Sequence, residues 1–135
     1  MPENQILTVI IGSHDIYHSL DSFLKKELEA KGYEVTIVNS YDEMINLVQK
    51  NDYTLYLMDL NLDYPATDNI TSSINVFKLI KERVEQKKAT FIGYSRWVSA
   101  ITKATKLGIP SCNTMALEDY FESTLAYFTK GLVLN

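Results

Sequence analysis

Short β-branched runs alternate along this chain with stretches whose apolar residues recur at helical spacing. No Pro-, Gly- or Ser-rich linker and no internal repeat interrupts the alternation. That order is the mark of βαβ units, in which helices cross over between parallel strands. Ile6 to Ile11 reads as the first strand. Ile16, Leu20, Phe23, Leu24 and Leu28 then share one face of a helix, which Lys31-Gly32 ends in the usual basic-then-glycine way. Tyr33 to Val38 is the second strand, and Ser40 with Glu43 forms a capping box for the next helix. The third strand runs into Asp59. A polar segment from Leu62 to Ser73 follows, then a helix carrying Val76, Phe77, Ile80 and Val84. Ala89 to Gly93 is the fourth strand, Trp97 to Leu107 a helix closed by Gly108, and Ile109 to Cys112 a short fifth strand. A single last helix is expected over Leu117 to Thr129, ended by Lys130-Gly131.

Because parallel crossovers are right-handed and helices must cover both faces, five such pairs favour a flavodoxin-like, doubly wound sheet of order 2-1-3-4-5. The 135 residues, 46% of them hydrophobic, fit one globular domain over 1–135. Cys112 stands alone, which excludes an intramolecular disulfide or a cysteine-based zinc site and suits a reducing cytoplasm. No apolar stretch reaches the roughly 18 residues of a membrane span, and Met1 to Gln5 lacks the basic start of a secretory signal, so no membrane attachment or export is expected. Thirteen basic residues against seventeen acidic ones, with the lysines dispersed, offer no stripe for nucleic acid.

In such a sheet the C-terminal mouths of the strands are where ligands bind. Asp59 closes the apolar run Tyr53-Thr-Leu-Tyr-Leu-Met and sits at one of these mouths. A carboxylate there also serves as a plain loop cap, and both readings stand. His14 and His18 are four apart, too few for a metal site without a third ligand. Asp15 and Ser19 form no nucleophile constellation, since nothing supplies an oxyanion hole or a positioned base; no enzyme is expected.

Three local matches, Lys31-Gly-Tyr-Glu-Val35, Met58-Asp-Leu-Asn-Leu62 and Leu117-Glu-Asp119, placed in this order of elements, resemble the receiver domain of two-component response regulators (CheY-like). The resemblance implies that Asp59 is a phosphoryl acceptor, that the Asn61 backbone carbonyl is a magnesium ligand, and that Ser95 contacts the phosphoryl group. It also implies departures. A receiver holds magnesium with two acids near the end of its first strand and places a lysine after its fifth, because phosphorylating a carboxylate brings a dianion to an anion. Only Asp15 is available for the acid pair, one to three residues late. The lysine position falls on Asn113 or near Met115, and the aromatic switch position on Ser111 or Asn113. The resemblance therefore implies an atypical or pseudo-receiver in signal transduction, with doubtful magnesium and weak or absent phosphoryl acceptance. An active, unconventional receiver phosphorylated by a histidine kinase is the alternative.

The segment from Asp63 to Ser73 exceeds the usual βα loop of about 2–6 residues, and either folds over Asp59 or is a solvated insertion. Leu117, Phe121, Leu125 and Phe128 supply the buried face of the last helix, with Tyr120 and Tyr127 as a second aromatic line. With Trp97 they offer a face on the fourth helix, fifth strand and fifth helix, which in receivers docks a protein partner, a histidine kinase or scaffold, or a second protomer as a homodimer. These aromatics also suit a small core. A different resemblance, of Gly12-Ser-His14-Asp15-Ile16 to part of a cobalamin-binding motif, breaks at Gly12 and Tyr17 and finds only Gly93 for its glycine-rich loop. A flavin site is disfavoured because the loop after the first strand is poor in Gly, Ser and Thr.

Overall fold

The computed structural model describes residues 7–14, 19–62 and 69–132. The chain folds into β1 (Leu7–Gly12), α1 (Ser19–Ala30), β2 (Tyr33–Val38), α2 (Tyr41–Lys50), β3 (Leu55–Asp59) and α3 (Thr71–Glu85). Then follow β4 (Thr90–Ser95), α4 (Val98–Lys106), β5 (Ser111–Asn113), α5 (Thr114–Asp119) and α6 (Phe121–Thr129). The five strands form one parallel sheet of order β2-β1-β3-β4-β5, the expected flavodoxin-like topology.

The twofold alternation of a strand sends successive side chains to opposite faces, so β1 to β4 feed two cores. Val9, Ile11, Leu55, Leu57, Ile92 and Tyr94 pack with Leu20, Leu24 and Leu28 of α1 and with Leu117, Phe121 and Leu125. Ile10, Tyr56, Met58 and Phe91 pack the other way, against Met44 and Val48 of α2, Val76, Phe77 and Ile80 of α3, and Ala100 and Ala104 of α4. At Gly93 a side chain is excluded: an added Cβ would lie 2.5 Å from Leu60 Cδ2 and 3.0 Å from the Ser111 hydroxyl.

Several boundaries differ from the sequence reading, each for a local reason. The first strand runs one residue later and the predicted Ile6 and Ile16 lie outside the described residues. The fourth strand continues to Ser95 because Tyr94 and Ser95 find partners in Cys112 and Asn113. The fifth begins only at Ser111: the Ile109 N–H is still committed to the Ala104 carbonyl at the end of α4, and Pro110 has no N–H to give. Thr71 to Ser73 belong to α3, not to the preceding loop, with the Thr71 N–H donating to the Asn69 side chain at 3.0 Å.

The single last helix is corrected to two. Tyr120 leaves helical geometry (φ −134°, ψ 43°), and α5 starts earlier, at Thr114, where the Asn113 side chain accepts the Met115 N–H at 2.8 Å. Across the break, the Thr124 hydroxyl donates to the Ala116 carbonyl at 3.0 Å, which ties the two helices together. Among the described residues no helix is long and apolar enough to cross a membrane.

Candidate phosphoryl-acceptor site

Asp59 ends β3, where the sheet runs out and the chain turns over the strand mouths. The Leu60 N–H still donates to the Tyr94 carbonyl of β4 at 2.8 Å, and the Leu62 N–H returns to the Asp59 carbonyl at 3.1 Å. This tight turn aims the Asn61 N–H at the Asp59 carboxylate, 2.9 Å away. The backbone of His14, two residues past the end of β1, also donates to that carboxylate. Ser73 of α3 secures the turn from behind, its hydroxyl donating to the Leu60 carbonyl at 3.2 Å.

Burial pushes the Asp59 carboxyl above its ordinary value, because a low-dielectric surrounding disfavours the charged form. The Asn61 N–H, the charge of His14, the His14 N–H and the charge of Arg96 oppose this in decreasing order, and burial prevails. The Asp59 carboxylate is thus held by backbone N–H donors, with the His14 and Arg96 side chains acting on it.

Ser95 lies on β4, one residue beyond the register partner of Asp59. Its hydroxyl donates to the Asn61 side-chain carbonyl at 2.6 Å and accepts the Trp97 N–H at 2.9 Å. Asn61 is 4% exposed and also donates from its amide to the Asn69 carbonyl at 3.4 Å. The structure thereby brings Asp59, Asn61 and Ser95 together, with the Asn61 side chain between strand β4 and the loop before α3. Asp15 and His18 lie outside the described residues, as do positions 63–68 of the long loop. Among the described residues no three His, Cys, Asp or Glu side chains converge as metal ligands. Asp59 and the Asn61 backbone carbonyl do not by themselves make a magnesium site.

The β4–β5 register sets Asn113 opposite Ser95, at the end of β5. Its side chain caps α5, so this strand end contributes a helix cap and not a cation. Ser111, two residues earlier, donates to the Ile109 carbonyl at 3.0 Å. Trp97, Tyr120 and Tyr127 are all exposed. Trp97 stands just beyond the C-terminal end of β4, next to the site. Tyr127 instead borders a cavity of about 700 Å³ lined by Thr90, Phe91 and Ile109, at the opposite end of the strands. The sequence reading did not weigh Arg96 as part of the site, nor His14 as a donor to Asp59. Their positions just past the ends of β4 and β1 were the available signal.

No family model matches the sequence, and no curated protein matches it. Solved structures do. A redox sensor of the streptococci, from a family described as evolved from two-component response regulators, superposes with a TM-score of 0.68 at 16% identity. The match covers 93% of this chain and 52% of that one, so the chain spans about half the length of that protein. A CheY-like response regulator receiver domain protein from Methanospirillum hungatei gives a TM-score of 0.65 at 20% identity, over 93% and 98% of the two chains.

The chain has the receiver-domain fold.

The response regulator TrrA of Thermotoga maritima, crystallised with magnesium and a beryllium fluoride, adds a TM-score of 0.66 at 16% identity, over 91% of this chain and 99% of that one. In a receiver fold the mouth of β3 is the place that Asp59 occupies here.

Proposed function

We propose that this chain is a non-enzymatic signalling module of receiver type, working in the cytoplasm through protein contacts, with Asp59 as a weak phosphoryl acceptor. The observation that carries the reading is the Asp59 turn itself: a half-buried carboxylate at the mouth of β3, with Ser95 and Asn61 hydrogen-bonded beside it and an uncharged Asn113 ending β5. In the step proposed, an Asp59 carboxylate oxygen attacks the phosphorus of an acyl phosphate or of a histidine kinase's phosphohistidine. The bond from phosphorus to the donor oxygen or nitrogen breaks, and its electron pair leaves with the donor. Asp59 becomes a mixed anhydride. The product dianion needs positive charge. With no ammonium from β5 and, among the described residues, few metal-binding oxygens, its stabilisation is poor, so magnesium binding and phosphorylation are both weak.

Protein contact is supported by where apolar surface is exposed. Trp97, Val98, Leu107, Met115, Tyr120 and Tyr127 stand out from α4, α5 and α6 and their junctions, whereas on the other elements only Leu79 does so among the described residues. Aromatic and Met side chains are enriched at interfaces, the aromatics because they bury large area at low entropy cost. A kinase, a scaffold or a second copy of the chain is the partner class for this face.

The test is incubation with magnesium and acetyl phosphate, followed by intact mass, for wild type and Asp59→Asn. A minor fraction of wild type gains one phosphoryl group and the variant gains none. Labelling that survives in the variant, or wild type that labels to completion, contradicts the reading.

A further inference from the structure

Every receiver chemistry at Asp59 faces the same electrostatic demand: a carboxylate of one negative charge becomes an acyl phosphate of about two. The end of β5 does not meet it, since Asn113 is neutral and its side chain is engaged by the Met115 N–H. The residue directly after Ser95 is Arg96, and its charge reaches Asp59. Its guanidinium is engaged, however, by Glu118 of α5, with Nη2 3.0 Å from Oε2. Arg96 is 65% exposed and Glu118 34% exposed, so the pair lies at the surface and in reach of solvent. Such pairs are weak and exchange partners readily.

We propose that Arg96 is the cation that meets the phosphoryl group on Asp59, and that Glu118 holds it away in the resting state. A guanidinium presents a planar fork of donors that matches phosphate oxygens, and a dianion outcompetes the single charge of Glu118. When Arg96 crosses to the phosphoryl group, Glu118 loses its partner. It lies on α5 between exposed Met115 and exposed Tyr120, so the change is delivered to the partner face. The aromatic relay that Ser111 does not supply is replaced by an ion-pair exchange between β4 and α5. This inference rests on the reading of Asp59 as phosphoryl acceptor.

The experiment measures the rate of Asp59 labelling by acetyl phosphate in wild type, Glu118→Gln, Arg96→Ala, Arg96→Lys, the Glu118→Gln/Arg96→Ala double variant and Asp59→Asn. Melting temperatures are recorded beside each rate. Glu118→Gln accelerates labelling by roughly two- to fivefold, the range that an exposed ion pair allows. Arg96→Ala slows it below wild type, Arg96→Lys restores part of the loss, and the double variant behaves as Arg96→Ala. Melting temperatures that stay together while the rates diverge separate this role from a structural one. Wild type that labels on Asp59 at a rate neither Glu118→Gln nor Arg96→Ala changes overturns the exchange and leaves the acceptor reading standing. No Asp59-dependent labelling in any variant overturns both.

Discussion

Burial disfavours the charged form of Asp59, and this makes stability depend on pH. Burial raises its carboxyl above the ordinary 3.8, so the folded chain keeps the Asp59 proton to a higher pH than the unfolded chain does. Between those two values the native state binds more protons, and stability falls as pH rises; below 3.8 both states are protonated and the contribution is fully present. Asp59→Asn has no such proton. Urea midpoints from pH 4 to pH 7 therefore shift in favour of the variant as pH rises, and parallel curves for the two proteins would contradict the sign. Asp59 itself was legible in the sequence because an apolar run ends on a carboxylate. Arg96 and His14 were not weighed in this role, since they are far apart in the chain and meet Asp59 only once the ends of β1, β3 and β4 share one edge. Cys112 is a different case: burial pushes its thiol up to about 11, which keeps it protonated and inert at neutral pH.

Elements with a cap or a breaker in their sequence were found nearly to the residue. The Ser40 hydroxyl accepts the Glu43 N–H at 3.2 Å, as the capping box requires, while the Glu43 carboxylate takes the Asn39 N–H at 3.3 Å. Ser40→Ala should cost about 1 kcal/mol, read from a denaturant midpoint shift without change of slope. Gly32 and Gly108 take positive φ (92° and 78°) where α1 and α4 end, as the basic-then-glycine and glycine endings predict. The split of the last helix was illegible for a physical reason. Leu117, Phe121 and Leu125 keep an unbroken helical period through Tyr120, so periodicity carries no trace of the break. The need for glycine at position 93 was equally hidden, because it arises from Leu60, in the turn after Asp59, packing against β4. Gly93→Ala should destabilise the fold by roughly 1–3 kcal/mol, the range for overpacking a filled core. A thermal scan that finds the variant as stable as wild type would mean that Leu60 moves freely.

At the scale of the molecule, the alternation of strands and helices was sufficient to give the sheet order, since handedness and two-sided covering leave few topologies for five βα pairs. The site was legible only in part, because its character depends on which strand ends bring charge and which bring caps. Asn113 is the instructive case: the chain alone allowed the missing lysine to fall there or near Met115, and the β4–β5 register places Asn113 opposite Ser95. The result is a receiver fold in which, on the reading proposed here, Asp59 acts on the exposed apolar face through Ser95, Arg96 and Glu118. The most direct test is an amide NMR spectrum recorded with magnesium as beryllofluoride is added, for wild type and Asp59→Asn. The account predicts Asp59-dependent shifts at His14, Asn61 and Ser95 that continue through Arg96 and Glu118 to Tyr120. Shifts that also occur in Asp59→Asn, or that stop at Asn61, would contradict it.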